Sequence, residues 1–338
     1  MQPEQTFGAA LDQPVGAHVQ TLKKRLSRAT DPDADAIAIH DARTALRRVR
    51  EELAIVGATV GDQARATRLG ERLREIEKAL AKPRDLDVMI EAIGRYVAVD
   101  GEPSAGVVKL QRRLERRRAR AMREARAVIE ARTRKVTRGI HRLLIEAARG
   151  GAAAADRVTP HLVRHFVRQV VWTAYDDVLA FDARRSSVDA LHGFRAACRR
   201  LRFALELFAD ALHDASVPIA RLRHAQDAIG DLHDRHVATG LVAEWLERGV
   251  LDPSAELTRF MGQQERERDS LHALAMETYE EVLGPSFRAA VVFALEPSAV
   301  DAATARDPET HAAPHPSARP DTSRRAPRAS QTNSVAEQ

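Results

Sequence analysis

The chain has 338 residues, room for one large domain or two ordinary ones, and is 44% hydrophobic but only 4% aromatic. Abundant Ala, Leu, Arg and Glu with few aromatics favour helices and exclude an all-β sandwich or barrel, and the single cysteine, Cys198, excludes a disulfide framework and any multi-cysteine metal site. Lys and Arg number 53 against 48 acids, a net +5 that conceals strong segregation: residues 105–142 hold fourteen Lys/Arg and three Glu.

At the N-terminus, MQPEQTFGAALDQPVGA has neither a basic n-region nor an apolar h-region, so no signal peptide is expected. No apolar stretch approaches the ~18 residues of a membrane span. The expectation is a soluble, cytoplasmic protein with no membrane partner.

Apolar residues then recur at helical spacing, and Pro14, Pro32, Pro83, Pro103, Pro160, Pro218, Pro253 and Pro285 mark starts and stops. In chain order the predicted helices cover residues 11–29, 35–56, 62–81, 84–97 and 104–148, then a break at Gly150-Gly151. They continue over 160–181, 187–212, 217–229, 232–247, 253–276 and 279–295. Predicted N-caps are Asp33 or Asp35, Asp62, Ser104, Thr159, Ser187, Ser216 and Asp252. Residues 297–338 carry six of the fifteen prolines, balanced charge and no periodicity, and are expected to be a disordered tail. The fold class expected is all-α.

The helices also repeat. IHDARTALRRVREELAIV (39–56) and LHGFRAACRRLRFALELF (191–208) align without gaps at an offset of 152. They share His40/His192, Arg43/Arg195, Arg47/Arg199, Arg48/Arg200 and Arg50/Arg202. A second echo follows each, in LREIEKALAKPRDLDV from Leu73 and LRHAQDAIGDLHDRHV from Leu222. Two echoes in one order indicate duplication of a multi-helix unit. The domains expected are two related halves, 1–150 and 151–296, and the tail 297–338.

At about 100° per residue, His40, Arg43, Arg47 and Arg50 form one stripe opposite Ala42, Ala45, Leu46, Val49, Leu53 and Val56. His192, Arg195, Arg199 and Arg202 repeat it opposite Phe194, Ala197, Cys198, Leu201, Leu205 and Phe208. Arg48 and Arg200 lie to the side. Each stripe is a positive track about 15 Å long with no acid at i±4 inside it. Like charges kept together in both halves point to an anion lying against them. The competing reading pairs each Arg with an acid on a neighbouring helix, such as Asp85 or Asp234, and has most force for Arg48 and Arg200. A third track holds Lys109, Arg112, Arg113, Arg116, Arg120 and Arg123; a fourth holds His161, Arg164, His165 and Arg168. Arg suits phosphate because its planar fork donates two hydrogen bonds and keeps its charge.

Nothing predicts an enzyme or a cofactor. There is no phosphate-cradling glycine loop, no Glu-x-x-His pair and no paired carboxylates. His233, Asp234, Arg235 and His236 come nearest to a metal cluster and are read as capping or surface residues at a helix start. Cys198, on an apolar face, is read as a buried structural thiol.

The doubled H-x-x-R-x-x-x-R-R-x-R motif, with the stretch around Arg84, Asp85 and Asp87, resembles the CHAD family, the conserved-histidine α-helical domain. The resemblance runs from about residue 11 to 295. It implies two pseudo-symmetric helical bundles enclosing a basic channel. It also implies binding of inorganic polyphosphate and association with polyphosphate granules, through the eight stripe residues and, less centrally, Arg84. Some members add an N-terminal CYTH domain with an E-x-E-x-K signature; Glu75-Ile76-Glu77-Lys78 lacks that spacing, and a stand-alone CHAD protein is expected. The partner expected is therefore polyphosphate, with other polyanions as further candidates. The alternative is a nucleic-acid-associated protein that contacts phosphates without base readout.

Overall fold

The computed structural model describes residues 5–60, 62–100, 105–153, 162–181, 188–249 and 253–296. The tail at 297–338, and the caps expected at Ser104, Thr159, Ser187 and Asp252, lie outside these residues, as does His161.

Ten α-helices run α1 (Phe7–Ala29), α2 (Ala36–Val60), α3 (Gln63–Ala79), α4 (Ala81–Asp100), α5 (Ala105–Ala153), α6 (Val163–Leu179), α7 (Val188–Leu207), α8 (Ser216–Glu247), α9 (Ala255–Leu283) and α10 (Pro285–Ala294). A 3-10 turn at Ala209–Ala211 joins α7 to α8. Beyond one isolated bridge between Thr6 and Leu162, the described residues hold no β structure. The Asp35 and Asp62 carboxylates accept the N–H groups of Ala38 and Arg65 at 2.7 and 3.1 Å, as the cap rule requires.

Several boundaries differ from the sequence reading. Pro14 lies inside α1 rather than at its start. The lost hydrogen bond costs roughly 3 kcal/mol, offset by the buried stripe of Leu11, Val15, Val19, Leu22 and Leu26. Ser216 is not a side-chain cap; its N–H instead donates to Asp214 at 2.8 Å. Ser254 caps α9, accepting from Leu257 at 3.1 Å. α5 runs on past Gly150-Gly151 to Ala153. The largest difference is α8, one helix where two were predicted, over 217–229 and 232–247. It corresponds to α3 plus α4, which are divided at Leu80 just before Pro83; no proline stands at the matching place in α8.

Two cores hold the helices. The larger unites the apolar faces of α1, α2, α3, α6 and α7 with parts of α5, α8, α9 and α10. Every residue predicted opposite the two His/Arg stripes is buried in it, Cys198 included. The smaller joins Met89, Ile93 and Tyr96 of α4 to Leu114 of α5, Trp245 of α8 and Phe260 of α9. Both cores mix helices from the two repeats, and α2 packs directly on α7, α4 on α8. Burying their apolar faces is what aims the polar stripes of α2 and α7 at each other.

Candidate anion site

The stripes do converge. After desolvation, the strongest influence on both Arg195 and Arg199 is the charge of Arg47, across the α2–α7 interface. Burial, then these like charges, depress the Arg199 guanidinium to about 10, and Arg43 is likewise depressed to about 10 by burial and by Arg47. The two helices therefore hold a cluster of half-buried cations whose charge is penalised in the absence of an anion.

Compensation differs between the halves. Glu77 of α3 is the counter-ion of the first stripe: its carboxylate accepts from Arg47 Nε at 2.6 Å and from Arg50, and its backbone carbonyl accepts from Arg43 at 2.9 Å. These cations hold the Glu77 carboxyl below its usual range although burial acts the other way. The expected partners Asp85 and Asp234 are thus not the ones used by Arg47 and Arg50. In the second half, Arg195 donates to the backbone carbonyl of Gln226 at 3.0 Å, and Asp234, Asp227 and Asp231 act on it only through space. Arg199 makes no hydrogen bond or ion pair among the described residues, and its Nε is buried. Arg202 has Glu206 at 3.7 Å, one turn on, an i,i+4 acid that the stripe analysis did not count.

Glu206 also binds Arg48, from α2, and Arg223 at 2.8 Å, while Arg48 lies 4.6 Å over the Phe203 ring. Arg200 pairs with Asp177 at 3.0 Å. Both side-lying arginines are therefore engaged structurally. Arg84 bridges the halves, 3.3 Å from Glu91 and 3.4 Å from Asp234.

His40 and His192 stand on the exposed edge of the cluster. The His40 ring has its pKa lowered, first by desolvation on its packed side and then by Arg84 and Arg47, with Asp41 and Asp234 opposing. His192 lies 5.3 Å from the His233 ring, itself lowered by burial and by His192. The segment His233–His236 is mid-helix, not a helix start: Asp234 meets Arg84, and Arg235 pairs with Glu267 at 2.8 Å.

The other tracks are not drawn into this cluster. Arg112, Arg116, Arg120 and Arg123 lie exposed on α5, with Lys109 and the half-buried Arg113 beside them, and Arg120 pairs with Glu124. Arg164 and Arg168 are exposed on α6, whose buried face is Val163, Val167, Val171, Tyr175 and Val178, with Phe166 and Val170 partly buried beside it. Among the α5 cations that engage the fold are Arg118, bound to the buried Asp87, Arg117, 4.1 Å over Trp245, and Arg126, which donates to the backbone carbonyl of Asp31.

Glu77, Gln226 and Gly230 escaped the sequence reading. One register exposes them: at an unbroken offset of 149 from Leu73/Leu222 to Val88/Val237, Glu77 falls opposite Gln226. Gly230 makes room for Arg195, since a Cβ there would lie 2.6 Å from its guanidinium.

A family model described as "CHAD domain" matches residues 13–243 and 171–329. Among solved structures, the CHAD domain from the plant Ricinus communis is 18% identical, with a TM-score of 0.59, over 86% of this chain and 93% of that one. PptA from Streptomyces chartreusis is 16% identical, also with a TM-score of 0.59, over 82% of this chain and 100% of that one. At these identities the likeness is one of fold. No curated protein sequence matches the chain.

Proposed function

We propose, because the chain belongs to the CHAD domain family, that it binds inorganic polyphosphate without catalysis, along the facing stripes of α2 and α7. The anchors are Arg43, Arg47, Arg195 and Arg199, flanked by Arg50, Arg202, His40 and His192. The observation that carries the reading is Arg199, half-buried, its pKa depressed by burial and then by Arg47, and without a hydrogen bond or ion pair among the described residues, Glu51 and Glu77 acting on it only through space. A cation held this way is costly unless an anion completes it. A chain of phosphates supplies charge at every unit and offers no base edge, which suits a cluster poor in exposed aromatics. The basic channel and attachment to polyphosphate granules in the cytoplasm belong to the same proposal.

Competition tests it. Labelled polyphosphate bound to the full chain is displaced by unlabelled polyphosphate, single-stranded DNA, duplex DNA or RNA at equal phosphate equivalents. Displacement by polyphosphate well ahead of the nucleic acids is expected; equal displacement by nucleic acid overturns the reading.

A further inference from the structure

Away from the stripes, α3 and α5 lie antiparallel, tied at one end by an ion pair between Arg65 and Glu146 and at the other by Arg132 and Glu75 at 2.7 Å. Between the ties is a cavity of about 330 Å³ lined by Arg65, Arg68, Arg72, Lys135, Arg138 and Arg142. Its floor is Leu69 against Gly139, where a Cβ would come 2.7 Å from Leu69 Cδ2. That close approach sets the two rows of cations side by side. Each row has the same 3–4 spacing, 65–68–72 and 135–138–142, so each occupies one face of its helix over about 10 Å.

No carboxylate lines the cavity; Glu146 and Glu75 stand at its ends, already paired. Arg68, Arg72, Lys135, Arg138 and Arg142 make no ion pair or hydrogen bond among the described residues. A further cavity of about 450 Å³ shares Arg72 and Lys135 and extends the groove to Arg132.

The fold does not demand this charge. In the 149-residue register Arg72 corresponds to Arg221, which is neutralised by Glu281 of α9 at 3.1 Å. Arg65 and Arg68 correspond to Asp214 and Val217. The same helix contact is thus built in the second half with an ion pair where the first half keeps open cations.

We propose that the α3–α5 groove is a second anion site, separate from the α2–α7 stripes, that takes a short run of condensed phosphate. Two parallel rows of donors grip a thin, unbranched anion from both sides, and the floor of Leu69 and Gly139 offers no aromatic surface on which a base could stack. The choice of ligand rests on the function proposed above; the existence of the site rests on the groove alone.

Titration of the full chain with sodium tripolyphosphate at low salt, followed by calorimetry, tests both separately. Two classes of site are expected. A groove variant (R68Q, R72Q, K135Q and R138Q together) loses one class, with at least a tenfold fall in its affinity, and keeps the other. A stripe variant (R43Q, R47Q, R195Q and R199Q together) does the reverse. Circular dichroism should match wild type, and a groove variant carrying R68K, R72K and R138K should restore the lost class. A groove variant with a wild-type isotherm overturns the second site and leaves the stripes standing. A stripe variant with a wild-type isotherm defeats the stripe reading and leaves the groove. If the groove class prefers a single-stranded DNA oligonucleotide over tripolyphosphate at equal phosphate, the ligand assignment is overturned.

Discussion

Glu77 and Gln226 occupy matching turns of the two repeats, and each accepts an arginine N–H through its backbone carbonyl, from Arg43 at 2.9 Å and from Arg195 at 3.0 Å. Only Glu77 adds a negative charge, which it shares between Arg47 and Arg50, Arg50 also meeting Glu51 at 3.2 Å. Gln226 is buried, and its side-chain nitrogen has no partner among the described residues. An incoming anion must displace Glu77 from hydrogen bonds on the first stripe, whereas at Arg199 Glu51 and Glu77 act only through space.

Exchanging the two side chains should therefore have opposite effects. Gln226→Glu places a carboxylate beside the second stripe and should weaken polyphosphate binding about tenfold. Glu77→Gln frees Arg47, leaves Arg50 with Glu51 at 3.2 Å, and should strengthen binding, at a stability cost of about 2 kcal/mol from losing charged hydrogen bonds. Binding titrations paired with urea melts read both quantities. Equal effects from the two substitutions would show that Glu77 does not compete with the ligand.

Gly230→Ala separates site geometry from folding. Alanine is favoured over glycine within a helix by about 1 kcal/mol, so α8 should gain stability. Its Cβ displaces the Arg195 guanidinium, because that flexible tip is the first atom group it meets. The expected variant melts no lower than wild type yet binds several-fold more weakly; unchanged affinity would remove Arg195 from the site.

The stripe and the side-lying arginines should divide cleanly. Arg199→Gln removes a half-buried, unpartnered cation, so stability should hold or rise while binding falls at least tenfold. Arg48→Gln breaks the contact with Glu206 across α2 and α7 and should cost about 1–3 kcal/mol. Arg200→Gln, at an exposed pair, should change stability by less than about 1 kcal/mol. Thermal melts and titrations on the three proteins check the division.

The pH dependence follows from His40 and from the His192–His233 pair, with His40 and His233 both lowered below the ordinary histidine value of about 6.5. A lowered folded pKa means the unfolded chain takes up protons first. The stability these groups contribute is complete above about pH 6.5 and is lost as pH falls through their folded values. A bound polyanion reverses the local field and favours the protonated ring, so affinity should rise as pH falls from about 8 to about 6. The depression of His40 comes from desolvation, then Arg84 and Arg47, with no contribution from Arg43 one turn away among its leading causes. A His40→Gln, His192→Gln, His233→Gln protein that keeps the full pH slope would refute the link.

Binding should also be electrostatic and independent of metal. Log affinity should fall linearly with log salt, as it does when several phosphates are contacted, and EDTA should leave it unchanged. A flat salt response would contradict the arginine contacts.

Much of this was written locally. The all-α class, the duplication and the two stripes follow from residues within a few turns of each other, because a helix places i, i+3, i+4 and i+7 on one face whatever lies around it. The same periodicity identified Ala42 to Val56 and Phe194 to Phe208 as core, and all the named residues are buried. What the sequence alone did not determine was which charge meets which. Glu77 sits 30 residues from Arg47, and Glu206 sits 158 from Arg48; neither distance carries a periodic signal. Only helix packing brings them together, and ion pairing depends on a few ångströms that local pattern does not encode. Gly230 shows the same division: it fell between two predicted helices, and packing makes it the space that Arg195 occupies.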